Sequence, residues 1–180
     1  MRIISTLLIL LAFCSSALAD GPKEVLDQYF KVLTSRNSAP LPSLMSSEDM
    51  KQMKVMMDSA LTRNTRASLQ LREDIFGKAV DKKTIEAATP EFYFKKLSSG
   101  ILQAADAQKF ILDDRTILGR IDETADMVHF VVRLHMRQHS MENSSLLVYT
   151  LVKEDGKWKM KFPPTLAQTL NLIETMTRPQ

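Results

Sequence analysis

Cysteine is all but missing from this chain: Cys14 is the single representative among 180 residues. It lies in a leader-like start. Arg2 gives a short positive beginning, Ile3 to Phe13 is an apolar run, and Ala17-Leu18-Ala19 supplies small residues at the positions a signal peptidase reads. The expected cut falls after Ala19, so residues 1–19 leave as a signal peptide and 20–180 form a single domain. The alternative is a lipoprotein cut before Cys14, which the bulky Phe13 disfavours. A chain cut after Ala19 has no thiol, hence no disulfide, no cysteine nucleophile and no cysteine-ligated metal. An exported domain held by its core alone fits a bacterial periplasm better than a eukaryotic secretory route. Asn143-Ser144-Ser145 is a glycosylation sequon that matters only in a eukaryotic host.

Other features are scarce too. Ile3–Phe13 is too short to span a bilayer as a mature helix and no later stretch is long enough, so no transmembrane segment is expected. Neither sign of charge dominates: the formal net charge is +3, and about +2 without Arg2, too weak to argue for a nucleic-acid partner. There is no glycine-rich phosphate loop and no Gly-x-Ser-x-Gly nucleophile motif. Histidine occurs three times. His129 and His135 are six residues apart on one strand, about 20 Å, too far to share a metal, and His139 lies in the connection that follows. No metal and no cofactor are expected. What remains, 44% apolar and 25% charged residues, is the composition of a globular protein with a core.

Periodicity orders the chain. A first helix is expected over Pro22–Thr34, with Val25, Leu26, Tyr29, Phe30 and Leu33 on one side. Ser35–Ser43 reads as a loop. Ser46 or Ser47 caps a second helix, along which Met50, Met53, Met56 and Met57 recur at helical spacing. Such a stripe binds Cu(I) through thioethers or fills a core; with no histidine or cysteine nearby in sequence, packing is the expectation. Arg63–Phe76 fits part of a strand or an irregular helix, and Gly77–Thr89 is polar and punctuated. Thr89-Pro90-Glu91 opens another helix, with Phe92, Phe94, Leu97, Ile101 and Leu102 on its apolar side and an end that Gly100 weakens.

Strands follow. Gln108–Leu112 and Thr116–Ile121 are one bent strand or two, interrupted by Asp113-Asp114. Met127–Arg137 alternates cleanly, with Val128, Phe130, Val132, Leu134 and Met136 on one face and His129, Arg133, His135 and Arg137 on the other. Gln138–Asn143 reads as a connection. Leu146–Val152 is nearly all apolar, which predicts a central strand covered on both faces. Asp155-Gly156 is a hairpin turn, and Lys157–Phe162 alternates again. Thr165 caps a final helix over Leu166–Thr177. The fold class is α+β: N-terminal helices packed on a curved antiparallel sheet, cone-like, plus a C-terminal helix.

The opening helix with Val25-Leu26-Asp27-Gln28-Tyr29-Phe30, the helix around Pro90–Leu102 and the closing meander ending Leu151-Val152-Lys153-Glu154-Asp155-Gly156-Lys157-Trp158-Lys159-Met160 together resemble the nuclear transport factor 2-like superfamily. The likeness covers Val25–Phe162. It implies a conical pocket between the sheet's concave face and the helices. Members include isomerases, dehydratases and many non-catalytic binding domains, so the fold does not choose the function. The isomerases use an acidic base with a hydrogen-bonding Tyr and a protonated Asp in an apolar pocket. No such constellation aligns here. Tyr29 and Tyr93 sit on helices, no acid interrupts the apolar faces of the two cleanly alternating strands, and Asp113 and Asp114 read as a solvated turn.

No catalytic residue is therefore expected. The first reading is an exported, non-catalytic binding module for a small apolar ligand or a protein, with Tyr93, Phe130, Leu134, Trp158 and Met160 lining the pocket or filling the core. The second is an isomerase or dehydratase that uses the fold's pocket. The third is an interaction or immunity-type protein recognised by its outer surface, and a homodimer stays open. There His129, Arg133, His135 and Arg137, with Lys157, Lys159 and Lys161, form either a solvated face or a basic surface for an anionic partner, whose binding strengthens below about pH 6.5.

Overall fold

Pro22 sets the start of the first helix, because its missing N–H and fixed φ suit a first turn. Helix α1 runs Pro22–Ser35 and ends at Arg36, which takes a left-handed conformation, φ 56°. The computed structural model describes residues 21–77 and 80–178. The expected signal peptide, its cut after Ala19 and Cys14 lie outside these residues. Arg36 donates to the Phe110 carbonyl and pairs with Asp106 at 2.9 Å, fastening the end of α1 to a distant part of the chain.

The stretch read as a loop holds a single helical turn, α2 (Leu41–Leu44). Ser46 then caps α3 (Ser47–Leu61), its hydroxyl accepting from the Asp49 N–H at 3.3 Å. The ambiguous segment is helix α4 (Arg66–Phe76), capped by Thr65, and the polar stretch holds α5 (Lys82–Ala87), capped by Asp81. Their weak apolar stripes are decided by caps and by packing against α3 and α6 (Pro90–Ala107), not by propensity. Gly100 does not end α6. It is exposed, and the helix continues seven residues beyond it to Ala107.

Four strands follow in sequence order, each antiparallel to the last: β1 (Phe110–Thr124), β2 (Met127–Gln138), β3 (Met141–Glu154) and β4 (Lys157–Met160). The first is one strand, not two. Asp113 and Asp114 are not a turn: Asp113 is an extra residue in the ladder, and further shifts fall at Leu118 and Glu123. Such bulges bend a strand and strengthen its twist. Asp155 (φ 50°) and Gly156 (φ 77°) make the expected two-residue turn. The segment read as a connection is itself strand and tight turn, since Gln138 pairs with Met141. Beyond the sheet, α7 (Pro164–Thr177) starts one residue before the expected cap.

The helices cover one face of the sheet. That face of β2 carries Val128, Phe130, Val132 and Leu134, all buried, and they meet Phe30 and Leu26 of α1, the Met53 and Met57 stripe of α3, and Leu151 and Met160 in one contiguous core. Each such fully buried side chain stabilises by about 1.5–3 kcal/mol. The other face is open, and this corrects the reading of Leu146–Val152. Tyr149 and Leu151 point inward and are buried, but Leu146 is 61% and Val148 50% exposed. The run is apolar on both sides while only one side is covered.

The N-terminus of α3 is clasped to the end of the sheet. The Ser46 N–H donates to the Met160 carbonyl at 2.7 Å, and the Glu154 carboxylate accepts from the Ser46 hydroxyl, the Ser47 hydroxyl and the Ser47 N–H at 2.6–2.9 Å. Asp49 in turn accepts from the Phe162 N–H and pairs with Lys161. Two carboxylates thus sit at the positive end of a helix dipole.

Candidate functional site

The residues expected to line a pocket are found packed. Phe130, Leu134 and Met160 are buried in the core, and Trp158 is partly buried against it. Tyr93 is 1% exposed, and its hydroxyl donates to Asp58, with the Ile85 carbonyl 3.1 Å away. Lys54 also donates to Asp58 and lies 5.2 Å from the centre of the Tyr93 ring. Burial, then the hydrogen bond to the Asp58 carboxylate and its charge, push the Tyr93 hydroxyl well above its ordinary value. Tyr93 braces α3, α5 and α6 together.

The structure opens elsewhere, among helices. A pocket of about 280 Å³ lies between α1, α2, α6 and the start of α7. Helix α1 contributes Tyr29 and Leu33 to its wall, one turn apart on the same side. Leu41 of α2 and the following Met45 close one end. Phe94, Leu97, Ser98, Ile101 and Leu102 of α6 form the longest wall, and Pro163, Leu166 and Thr169 complete it. None of these twelve residues is charged. Tyr29 is held edge-on against Phe30 at 5.6 Å and tilted against Tyr149 at 5.9 Å between ring centres. Burial alone pushes its hydroxyl up to about 12. Ser98 donates to the Lys95 carbonyl at 3.1 Å. The sequence placed Tyr29 and Leu33 on the core side of α1 and Phe94, Leu97, Ile101 and Leu102 on the apolar side of α6. It carried no sign that these faces leave a gap between them.

The outer sheet face holds the histidine-bearing row, and its lysines do lie on the same side. The basic character is largely spent locally. His129 contacts Glu123 at 2.5 Å and Thr150 at 3.0 Å, and Arg137 pairs with Asp113 at 2.9 Å. Lys159 donates to the Ser43 carbonyl and Lys161 pairs with Asp49. Between Arg133 on β2 and Lys159 on β4 runs β3 with its exposed Leu146 and Val148. His135 and Arg137 share a surface groove of about 420 Å³ with Asp113 and Glu142. Among the described residues, no three His, Cys, Asp or Glu side chains converge as metal ligands, and no helix is long and apolar enough to cross a membrane.

No family model matches this chain, and neither does any curated protein. Among solved structures it is similar to the solution structure of a SEC-C motif containing protein from Rhodopseudomonas palustris. The two share 11% identity and a TM-score of 0.44 over 78% of this chain and 75% of that one.

Proposed function

We propose that this protein is a non-catalytic binding module that takes a small apolar molecule into the pocket between α1, α2, α6 and α7. The observation that carries this is the pocket's wall: about 280 Å³ lined mostly by apolar side chains, with no charged group. Concave, mostly apolar sites with a few polar groups are where small ligands bind. The resemblance to the nuclear transport factor 2-like superfamily, with its many binding members, supports the same reading. An isomerase or dehydratase needs a group that exchanges protons near neutral pH. Tyr29 is the one titratable residue in the wall, and at about 12 its hydroxyl keeps its proton there.

Size narrows the ligand. An apolar cavity of about 150 Å³ holds benzene, so one of this volume suits about eleven non-hydrogen atoms. Tetralin, a fused bicycle of that size, is a suitable probe. The expected result is saturable one-to-one binding by calorimetry. Ile101, half exposed at the pocket's wall, gives the control. Ile101→Trp fills the opening and is expected to weaken tetralin by about tenfold or more, without loss of fold. Absence of saturable binding to the unaltered protein overturns the proposal.

A further inference from the structure

The two long edges of the sheet are built differently. Strand β1 is interrupted by three register shifts and carries six charged side chains, two Arg and four Asp or Glu. Bulges and charges are the devices that stop a strand edge from recruiting another strand. Strand β3 has no bulge, and its three charges, Glu142, Lys153 and Glu154, lie at its two ends. Its pairing with β2 runs without a shift from Met127↔Val152 to Gln138↔Met141, and Asn143–Val152 contains no charge, proline or glycine.

Half of β3 is also an edge. β4 pairs only with Leu151–Glu154, and the last backbone bond on that side runs from the Lys161 N–H to the Thr150 carbonyl at 2.8 Å. In an antiparallel ladder alternate residues direct both backbone groups to the same side. Thr150 faces β4, so Val148, Leu146, Ser144 and Glu142 direct their N–H and C=O groups the same way, beyond the end of β4. No strand lies there among the described residues. The side chains of Leu146 and Val148 stand exposed beside these groups.

We infer that this open half of β3 pairs antiparallel with the same segment of a second copy of the chain. Parity and closure select a second copy as the occupant. A twofold axis at Ser145 sets Ser144 opposite Leu146 and Glu142 opposite Val148, so every pair joins two residues whose backbone groups already face outward. The incoming β3 then ends at Met141, opposite Tyr149, one residue short of the Thr150 that Lys161 bonds. The pairing uses the open edge of both copies and leaves the bulged, charged β1 at either outer end, so assembly closes at two. An extended, β-prone segment with Glu142 as its one charge is also the kind of strand such an edge accepts, and each copy supplies one.

Sedimentation velocity from about 1 µM to about 1 mM is expected to show the mass rising toward twice that of the monomer. Amide exchange locates the contact. The Ser144, Leu146 and Val148 amides are expected to exchange at least about tenfold more slowly in concentrated than in dilute solution, whereas Leu147 and Tyr149, bonded to β2, stay protected in both. Leu146→Pro removes an outward N–H and no β2 bond, and is expected to abolish the dimer. Val148→Lys places a charge on the same edge without touching the backbone and is expected to do the same. A protein that stays monomeric throughout overturns the inference. So does a dimer in which those three amides stay unprotected, or one that survives Val148→Lys.

Discussion

Tyr93 and Tyr29 both lie on apolar helix faces, and only their neighbours separate a brace from a pocket wall. The partners of Tyr93 are Asp58 and Ile85, 35 and 8 residues away in the chain. No local pattern announces contacts at such distances, which is why Tyr93 read as a pocket residue. Tyr93→Phe strips the hydroxyl from Asp58 and from the Ile85 carbonyl inside a packed site. It is expected to cost about 1–3 kcal/mol in urea denaturation while leaving tetralin affinity unchanged. A loss of tetralin binding in the folded variant would return Tyr93 to the ligand site. The methionines were easier to read: Met50, Met53 and Met57 are buried at helical spacing, as an adaptable core stripe requires.

Among the elements, the alternating strand β2 was fully legible, because one covered face and one open face produce strict period two. β3 was not. Leu147, Tyr149 and Leu151 serve the core while Leu146 and Val148 face water, and a run of apolar letters does not say how many faces are covered. Its polar beginning, Met141–Ser145, hid its true length. The clasp on α3 was half legible: the serine cap could be read, but Glu154, 107 residues beyond Ser47, could not. Partial burial on its own raises the Glu154 carboxyl. Hydrogen bonds from Ser46 and Ser47 and the charge of Lys159 outweigh it and hold the group below its ordinary 4.5. A depressed folded value means stability fully present above 4.5 and lost as pH falls through the lower folded value. Glu154→Gln is therefore expected to cost about 1–2 kcal/mol at pH 7, with the gap to the unaltered protein narrowing as pH falls below 4.5. Urea midpoints at pH 7 and in acid measure it. A gap of equal size at both would show that the charge plays no part.

For the molecule as a whole, the α+β class and the order of helices, meander and helix were readable, since each follows from period and turn chemistry. The helical pocket was not, because a cavity is a failure of several faces to meet and no single face encodes it. One covered sheet face has a direct consequence for tolerance. Leu151→Ala, at a fully buried position, is expected to cost about 2–5 kcal/mol, and Leu146→Ala, five residues away on the same strand, no more than about 1 kcal/mol at low micromolar concentration. Comparable costs would mean that something covers the outer face. The sequential order of the strands also divides the entropy of assembly unevenly. Each strand meets its predecessor across a turn of two residues, so the sheet's register is closed by the shortest loops available. The long loop is the one that returns the start of α3 to Glu154. The four side-chain oxygens of Ser46, Ser47 and Glu154 that meet there hold shut a chain closure of more than a hundred residues.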